Sequence, residues 1–105
     1  MKRVITLMST YNGDKYLDAQ IRSIMDQQGV DVTLLIRDDG SSDGTLSLLE
    51  RWRKAEPDRI EVIADNNMGF VASFSRLIKE GLKRYKEAEI FAFADQDDVW
   101  LSDKL

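Results

Sequence analysis

Four short apolar runs, separated by stretches with helical periodicity, constrain the fold of this chain more than any other feature. The runs are rich in β-branched residues and predict strands over 4–8, 32–36, 60–64 and 89–94. Between them, apolar residues recur at the spacing of amphipathic helices, which predicts helices over 15–28, over 43–55 and from Phe70 onwards. The predicted order is therefore β-α-β-α-β-α-β.

This alternation predicts an α/β fold of the Rossmann-like, three-layer α/β/α kind, as one domain over 1–105. Helices placed between strands imply right-handed crossovers and a mainly parallel sheet covered on both faces. We expect the strand order 3-2-1-4, in which a crevice opens between strands 1 and 4. The apolar stripe of each helix is assigned to the core. In the third helix the stripe comprises Phe70, Phe74, Leu77, Ile78 and Leu82.

Composition excludes several classes of function. The net charge of −4 provides no broad basic surface and argues against nucleic-acid binding. The absence of cysteine and histidine excludes disulfides, zinc–thiolate sites and histidine triads, and leaves carboxylates as the obvious acid–base groups. No apolar run approaches the ~20 residues needed to span a membrane. The basic and then apolar N-terminus is too short for a signal peptide, so we expect a first strand in a cytoplasmic protein.

An acidic cluster follows the last apolar run directly, at Asp95, Asp97 and Asp98. In open α/β sheets, ligands bind where strands end in this way. Carboxylates this close together repel one another unless a cation, hydrogen bonds or solvent offsets the repulsion. Oxygen ligands suit Mg²⁺, Mn²⁺ or Ca²⁺. A solvated acidic turn is the alternative, and it would be preferred if the motif stood alone.

A second polar segment, RDDGSSDGT over 37–45, is predicted to be a loop. Its spacing to Glu50 resembles a calcium-binding EF-hand loop, but an EF-hand needs a helix before the loop and this segment follows a strand. Two interpretations of Asp38 and Asp39 remain open. They accept hydrogen bonds from a base or a ribose, or they only brace the turn and cap the second helix.

Three polar segments follow strands 1, 2 and 4, over 9–12, 38–43 and 95–98. Because the carboxyl ends of parallel strands share one edge, we expect these segments to converge at the crevice. Tyr11 would then be placed to stack on a base, with the acidic cluster placed to hold a cation on phosphates.

Together these motifs resemble the N-terminal half of a family 2 glycosyltransferase with the GT-A fold. The matching segments are STYN over 9–12, RDDGSSDGT over 37–45 and DQDDVW over 95–100. The resemblance implies that the nucleotide is bound by Thr10, Tyr11 and Asp39, with Asp38 as the partner of Asp39. It further implies that Asp95 and Asp97 bind Mg²⁺ or Mn²⁺ on the diphosphate, which makes Asp95 part of the donor site. Asp98 is a further candidate metal ligand.

The implied substrates are a UDP- or dTDP-linked nucleoside-diphosphate sugar and, in the full enzyme, a saccharide acceptor. The DQDDVW segment is similar to bacterial polysaccharide rhamnosyltransferases, which would use dTDP-rhamnose. The alternative is a non-catalytic nucleotide- or metal-binding α/β module. Peripheral membrane association of the full enzyme and assembly into homo-oligomers are left open.

Two features depart from the resemblance or limit it. Many family members carry an Arg-Asn pair early in the helix after strand 3, whereas the first basic residue after position 69 here is Arg76. No cationic contact is therefore expected from the start of that helix. The catalytic general base is expected beyond Leu105, so these residues alone are expected to bind the donor and transfer no sugar.

Overall fold

A computed structural model of the chain describes residues 2–86 and 90–94. The strands are β1 (Lys2–Thr10), β2 (Val30–Asp39), β3 (Ile60–Asp65) and β4 (Ile90–Ala94). The helices are α1 (Leu17–Met25), α2 (Thr45–Ala55) and α3 (Phe70–Arg84). None of the helices in these two ranges is long and apolar enough to cross a membrane.

The four strands form one parallel sheet in the order β3-β2-β1-β4, which confirms the predicted order. At the carboxyl ends of the strands, Thr10 lies opposite Asp38 and Asp39 lies opposite Asp65. Ala94, the last residue of β4, lies opposite Met8. The ends of all four strands therefore share one edge of the sheet, and the order reverses between β1 and β4.

Helices cover both faces of the sheet and complete the predicted three-layer architecture. On one face, α1 and α2 pack against alternate strand residues. This cluster includes Leu17, Ile21, Ile24, Leu48, Leu49, Met8, Leu34 and Ile36. On the other face, Leu77 of α3 packs with Ile5, Leu7 and Leu35. Neighbouring strand residues thus face different helical layers, as the pleat of a strand requires.

Strand β2 is longer than predicted, and this corrects the boundary of the polar loop. Arg37, Asp38 and Asp39 are paired strand residues with buried side chains, so the loop begins only at Gly40. Three consecutive charged residues ordinarily indicate solvent exposure. Here hydrogen bonds from distant parts of the chain compensate for their burial, as described below.

The apolar stripe of α3 is only partly core, contrary to the prediction. Leu77 is fully buried and Phe74 is half-buried, but Ile78 is 38% exposed and Leu82 is 56% exposed. The stripe is wider than the surface that the sheet offers, because β4 is the outermost strand beside β1 within the described residues. The apolar stripes of α1 and α2, by contrast, pack against the sheet as expected.

Candidate functional site

The carboxylate of Asp38 joins the ends of β1 and β2. Thr10 donates a hydrogen bond from Oγ1 to Asp38 Oδ1 at 2.8 Å. Ser41 donates from its hydroxyl to Oδ1 at 2.6 Å and from its backbone N–H to Oδ2 at 2.9 Å. Asp38 is fully buried and Thr10 almost so. The carboxylate therefore braces the turn after β2, in agreement with the structural interpretation of Asp38.

Asp39 lies on the opposite face of β2 and receives a different set of donors. Its Oδ1 accepts hydrogen bonds from Arg37 Nη1 at 2.8 Å and from the backbone N–H of Met68 at 2.9 Å. Its Oδ2 accepts the backbone N–H of Gly69 at 3.1 Å. Burial alone would raise the pKa of Asp39, but the hydrogen bonds from Arg37, Met68 and Gly69 outweigh it and hold the pKa below its usual value. Asp39 is therefore an ionised acceptor.

Arg37 is a functional candidate that the sequence patterns did not identify. Its side chain is fully buried, and besides Asp39 it donates from Nη1 to Ser73 Oγ at 2.9 Å and from Nη2 to the carbonyl of Asn66 at 3.1 Å. The carboxylate of Asp65 lies 3.6 Å from Nη2. One sequence feature could have identified it. No glycine or proline lies between Ile36 and Gly40, so the strand could have been predicted to continue through Arg37.

The hydroxyl of Ser73 links this cation to β1. Ser73 Oγ and Ser9 Oγ are 2.6 Å apart and share a buried hydrogen bond. A strand residue of β1, a guanidinium from β2 and a helical residue of α3 are thereby connected. The first basic residue of α3 in the sequence is Arg76, but the guanidinium of Arg37 from β2 reaches the start of this helix at Ser73.

The loop after β1 is fastened to the loop after β2 by reciprocal hydrogen bonds. The backbone N–H of Asn12 donates to Ser41 Oγ at 2.9 Å, and the N–H of Ser42 donates to Asn12 Oδ1 at 2.8 Å. Further along, the N–H of Gly44 donates to Asp14 Oδ2 at 3.1 Å. Asn12 adopts a left-handed conformation with a φ of 48°. The two loops therefore form one continuous, hydrogen-bonded surface beside the ends of β1 and β2.

Asp43, and neither Asp38 nor Asp39, bonds the start of α2. Its Oδ1 accepts the N–H of Thr45 at 2.9 Å and the hydroxyl of Thr45 at 2.5 Å. Burial would raise the pKa of Asp43, but the hydrogen bonds from Thr45 and Asp14 hold it below its usual value. One of the two interpretations left open included capping of the second helix by Asp38 and Asp39. That part is wrong, because both carboxylates accept hydrogen bonds at the sheet edge instead.

The remaining predicted residues fall into two groups. Tyr11 follows β1 immediately, at the carboxyl edge of the sheet, and is 48% exposed. Asp95, Asp97 and Asp98 lie outside the described residues. Within 2–86 and 90–94, no group of three or more acidic, histidine or cysteine side chains is arranged to hold a metal.

The structure brings Thr10 and Asp38 into contact and places Asp39 on the other side of the same strand. Both carboxylates are surrounded by donors, and an ionised carboxylate can only accept hydrogen bonds. Asp39 Oδ2 receives a single donor from the described residues, Gly69 N–H, and retains capacity for another. Asp39 is only 3% exposed, and the segment over 66–69 lies against its carboxylate through the N–H groups of Met68 and Gly69.

A parallel sheet with this strand order and a polar carboxyl edge defines the Rossmann-like class of α/β proteins, which bind ligands at the crevice where the order reverses. The family model described as "Glycosyl transferase family 2" matches residues 6–105. The chain belongs to this family, and the resemblance seen in its motifs is confirmed.

Relatives with described activities match nearly the whole chain. It is 38% identical over 101 residues to the dTDP-rhamnosyl transferase RfbG of Shigella flexneri, covering 93% of this chain and 34% of RfbG. It is 29% identical over 104 residues to the glucosyltransferase WfgD of Escherichia coli, named for UDP-Glc and a GlcNAc-diphosphoundecaprenol, covering 97% of this chain and 38% of WfgD. The chain therefore spans between a third and two fifths of the length of these relatives.

Solved structures share the fold. TarS 1–349 of S. aureus, in complex with UDP, superposes with a TM-score of 0.76 at 25% identity, covering 98% of this chain and 29% of TarS 1–349. The mannosyltransferase PcManGT of Pyrobaculum calidifontis, in complex with GDP-Man and Mn²⁺, superposes with a TM-score of 0.75 at 22% identity. That pair covers 92% of this chain and 28% of PcManGT, and shows a common fold.

Proposed function

We propose that this chain forms the donor-binding part of a metal-dependent glycosyltransferase. The full enzyme would transfer a sugar from a nucleoside diphosphate to a saccharide acceptor in cell-surface polysaccharide synthesis. The observation that carries the proposal is the carboxyl edge of β1 and β2. There, two buried carboxylates end β2 and an exposed tyrosine follows β1, in a family 2 chain.

The nucleotide would be held by Tyr11, Thr10, Asp38 and Asp39. The half-exposed ring of Tyr11 offers a stacking surface for a base. The ionised Asp39 accepts hydrogen bonds and therefore suits a base edge or ribose that donates N–H or O–H. Thr10 acts through Asp38, to which its hydroxyl is bonded.

The donor would be a UDP- or dTDP-linked sugar, with dTDP-rhamnose as the specific candidate. The name of RfbG, a dTDP-rhamnosyl transferase, supports dTDP-rhamnose. The structures of TarS 1–349 with UDP and with UDP-GlcNAc support a nucleoside-diphosphate donor in general. The similarity of the DQDDVW segment to bacterial polysaccharide rhamnosyltransferases also supports dTDP-rhamnose.

Asp95, Asp97 and Asp98 would hold Mg²⁺ or Mn²⁺ on the diphosphate. Three carboxylates within four positions form an oxygen donor set that suits these cations, and in the sequence Asp95 follows the last residue of β4. When bound, the cation would neutralise charge developing on the leaving diphosphate. The described residues of the chain would hold and orient the nucleoside.

Titration of the protein with UDP and dTDP, each with Mn²⁺ and with EDTA, tests the proposal. Binding should be tighter with Mn²⁺, and Asp97→Asn should abolish most of that difference. Asp58→Asn is the matched control, because Asp58 is an exposed carboxylate before β3, at the opposite edge of the sheet. Equal affinity with EDTA would refute the metal site. Metal-dependent binding without sugar transfer by the full-length protein would instead favour a non-catalytic nucleotide-binding module.

A further inference from the structure

We propose that Arg37 is a positioning residue of the nucleotide site. Its hydrogen bonds hold Asp39 and the segment over 66–69 in a fixed arrangement. The proposal rests on the proposed function, in which Asp39 contacts the nucleotide. It assigns a role to a residue that is fully buried and that no ligand needs to touch.

Arg37 is the common partner of three separate elements. It bonds Asp39 at the end of its own strand, the carbonyl of Asn66 in the segment after β3, and Ser73 in the first turns of α3. The same segment is fixed a second time, because Met68 and Gly69 donate their backbone N–H groups to Asp39. Asp39 and Arg37 therefore both hold the segment, because Asp39 accepts hydrogen bonds from it and Arg37 donates one to it.

The chemistry of these contacts requires a guanidinium. Its two terminal nitrogens point to different acceptors, with Nη1 serving Asp39 and Ser73 while Nη2 serves Asn66. Lysine carries one nitrogen on a flexible stem and cannot reproduce this planar arrangement. Since the side chain is fully buried, water is not available to replace a lost donor.

Loss of Arg37 would change Asp39 in two ways. The carboxylate would remain buried without its nearest cation, which disfavours its ionised form. The segment over 66–69 would also lose the bond at Asn66, so the two N–H groups that Asp39 accepts would be less firmly placed. Both changes act on Asp39, which is proposed to receive the nucleotide, although Arg37 itself is fully buried.

A double-mutant cycle separates positioning from general stability. The cycle measures the affinities of Arg37→Met, Asp39→Asn and the double variant for UDP and dTDP in the presence of Mn²⁺. Arg37→Met should raise the Kd roughly tenfold to hundredfold, as expected for loss of a hydrogen bond to a charged group. In the Asp39→Asn background, Arg37→Met should have little further effect, because its influence passes through Asp39. Additive losses in the double variant would overturn the proposal.

Arg59→Met serves as the matched control. Arg59 is a partly buried arginine that donates to the backbone carbonyls of Val32 at 3.3 Å and Met25 at 3.2 Å. These contacts lie towards the amino ends of the strands, away from Asp39. Arg59→Met should therefore lower the melting temperature while leaving the nucleotide Kd unchanged. A rise in Kd that matches the Arg37 variant would show that general destabilisation explains both.

Backbone hydrogen exchange gives a readout that does not depend on nucleotide binding. The amides of Met68 and Gly69 should exchange at least tenfold faster in Arg37→Met, whereas amides within β1 should keep their protection. Unchanged exchange at Met68 and Gly69 would refute the proposal. If the wild-type protein bound no nucleotide, the proposed function would fail. The exchange result would still decide whether Arg37 holds Asp39 and the segment over 66–69 in place. Should Arg37→Met not fold, Arg37→Lys and Ser73→Ala provide milder losses of the same contacts.

Discussion

The hydroxyl of Thr10 donates a 2.8 Å hydrogen bond to Asp38 across the paired ends of β1 and β2. Both side chains are buried, so the bond is shielded from water. Thr10→Val keeps the shape of the side chain and removes the donor, and should lower the free energy of unfolding by about 1.5–3 kcal/mol, as for other hydrogen bonds to charged groups. Urea denaturation measures this change.

Thr10→Ser is the control for this bond. It retains the hydroxyl and loses only a buried methyl group, which should cost about 0.8 kcal/mol. If Ser and Val destabilise the protein equally, the methyl contact rather than the bond to Asp38 determines the effect.

The close approach of Gly40 to Asn67 makes a prediction about the turn after β2. A Cβ at position 40 would lie 2.8 Å from the backbone nitrogen of Asn67, and Gly40 has a φ of +77°. Gly29 has almost the same φ, +76°, but a Cβ there would meet nothing within 4 Å. Gly29→Ala should therefore show only the left-handed backbone cost of about 1–2 kcal/mol, and Gly40→Ala should add about 1–3 kcal/mol of overpacking. Equal melting temperatures for the two variants would contradict this prediction.

Acid should destabilise the wild-type protein more than Asp39→Asn. The pKa of Asp39 in the folded protein lies below its ordinary value of 3.8, so its contribution to stability is present above about pH 4 and is lost as the pH falls through the folded pKa. Melting temperatures measured between about pH 6 and pH 2.5 should fall more steeply for the wild type. Only the wild type has a carboxylate at position 39 that takes up a proton as the pH falls. The other carboxylates titrate in both proteins and cancel in the comparison. Parallel curves would show that Asp39 is not stabilised as an anion.

The half-exposed ring of Tyr11 is predicted to contribute to nucleotide affinity by stacking. Tyr11→Ala should weaken UDP or dTDP binding by about 1–3 kcal/mol, whereas Tyr11→Phe should retain most of the affinity. Tyr16, which is 60% exposed before α1, provides a control at which alanine should leave the Kd unchanged. Calorimetric titration of the three variants measures the differences. A loss at Tyr11→Phe equal to that at Tyr11→Ala would assign the effect to the phenol oxygen.

Most of the fold could be predicted because local periodicity and handedness decide it. Apolar runs and helical stripes set the element order, and the crossover rule makes the sheet parallel, which the pairing of β1 with β2 and β4 confirms. The exposure of Ile78 and Leu82 could not be predicted in this way. A helical stripe shows which residues share a face, but not how much of that face the sheet covers.

Only part of the candidate site could be predicted from the sequence. The positions of Thr10, Tyr11, Asp38 and Asp39 at strand ends follow from topology, whereas the burial of the two carboxylates depends on donors about 30 positions away, such as Gly69. Arg37 was missed for the same reason. A charged residue beside two aspartates resembles a loop until its distant acceptors, Ser73 and Asn66, are known.

Asp38 and Asp39 are neighbours in sequence, yet β2 carries them to opposite faces of the sheet. Asp38 bonds Thr10 and Ser41, while Asp39 bonds Arg37 and the segment before α3. A slip of β2 by one residue would exchange the two carboxylates and bury each of them without its own donors. The acidic pair thus helps to fix the pairing register of the central strands, so the two residues that are proposed to bind the nucleotide also specify how these strands align.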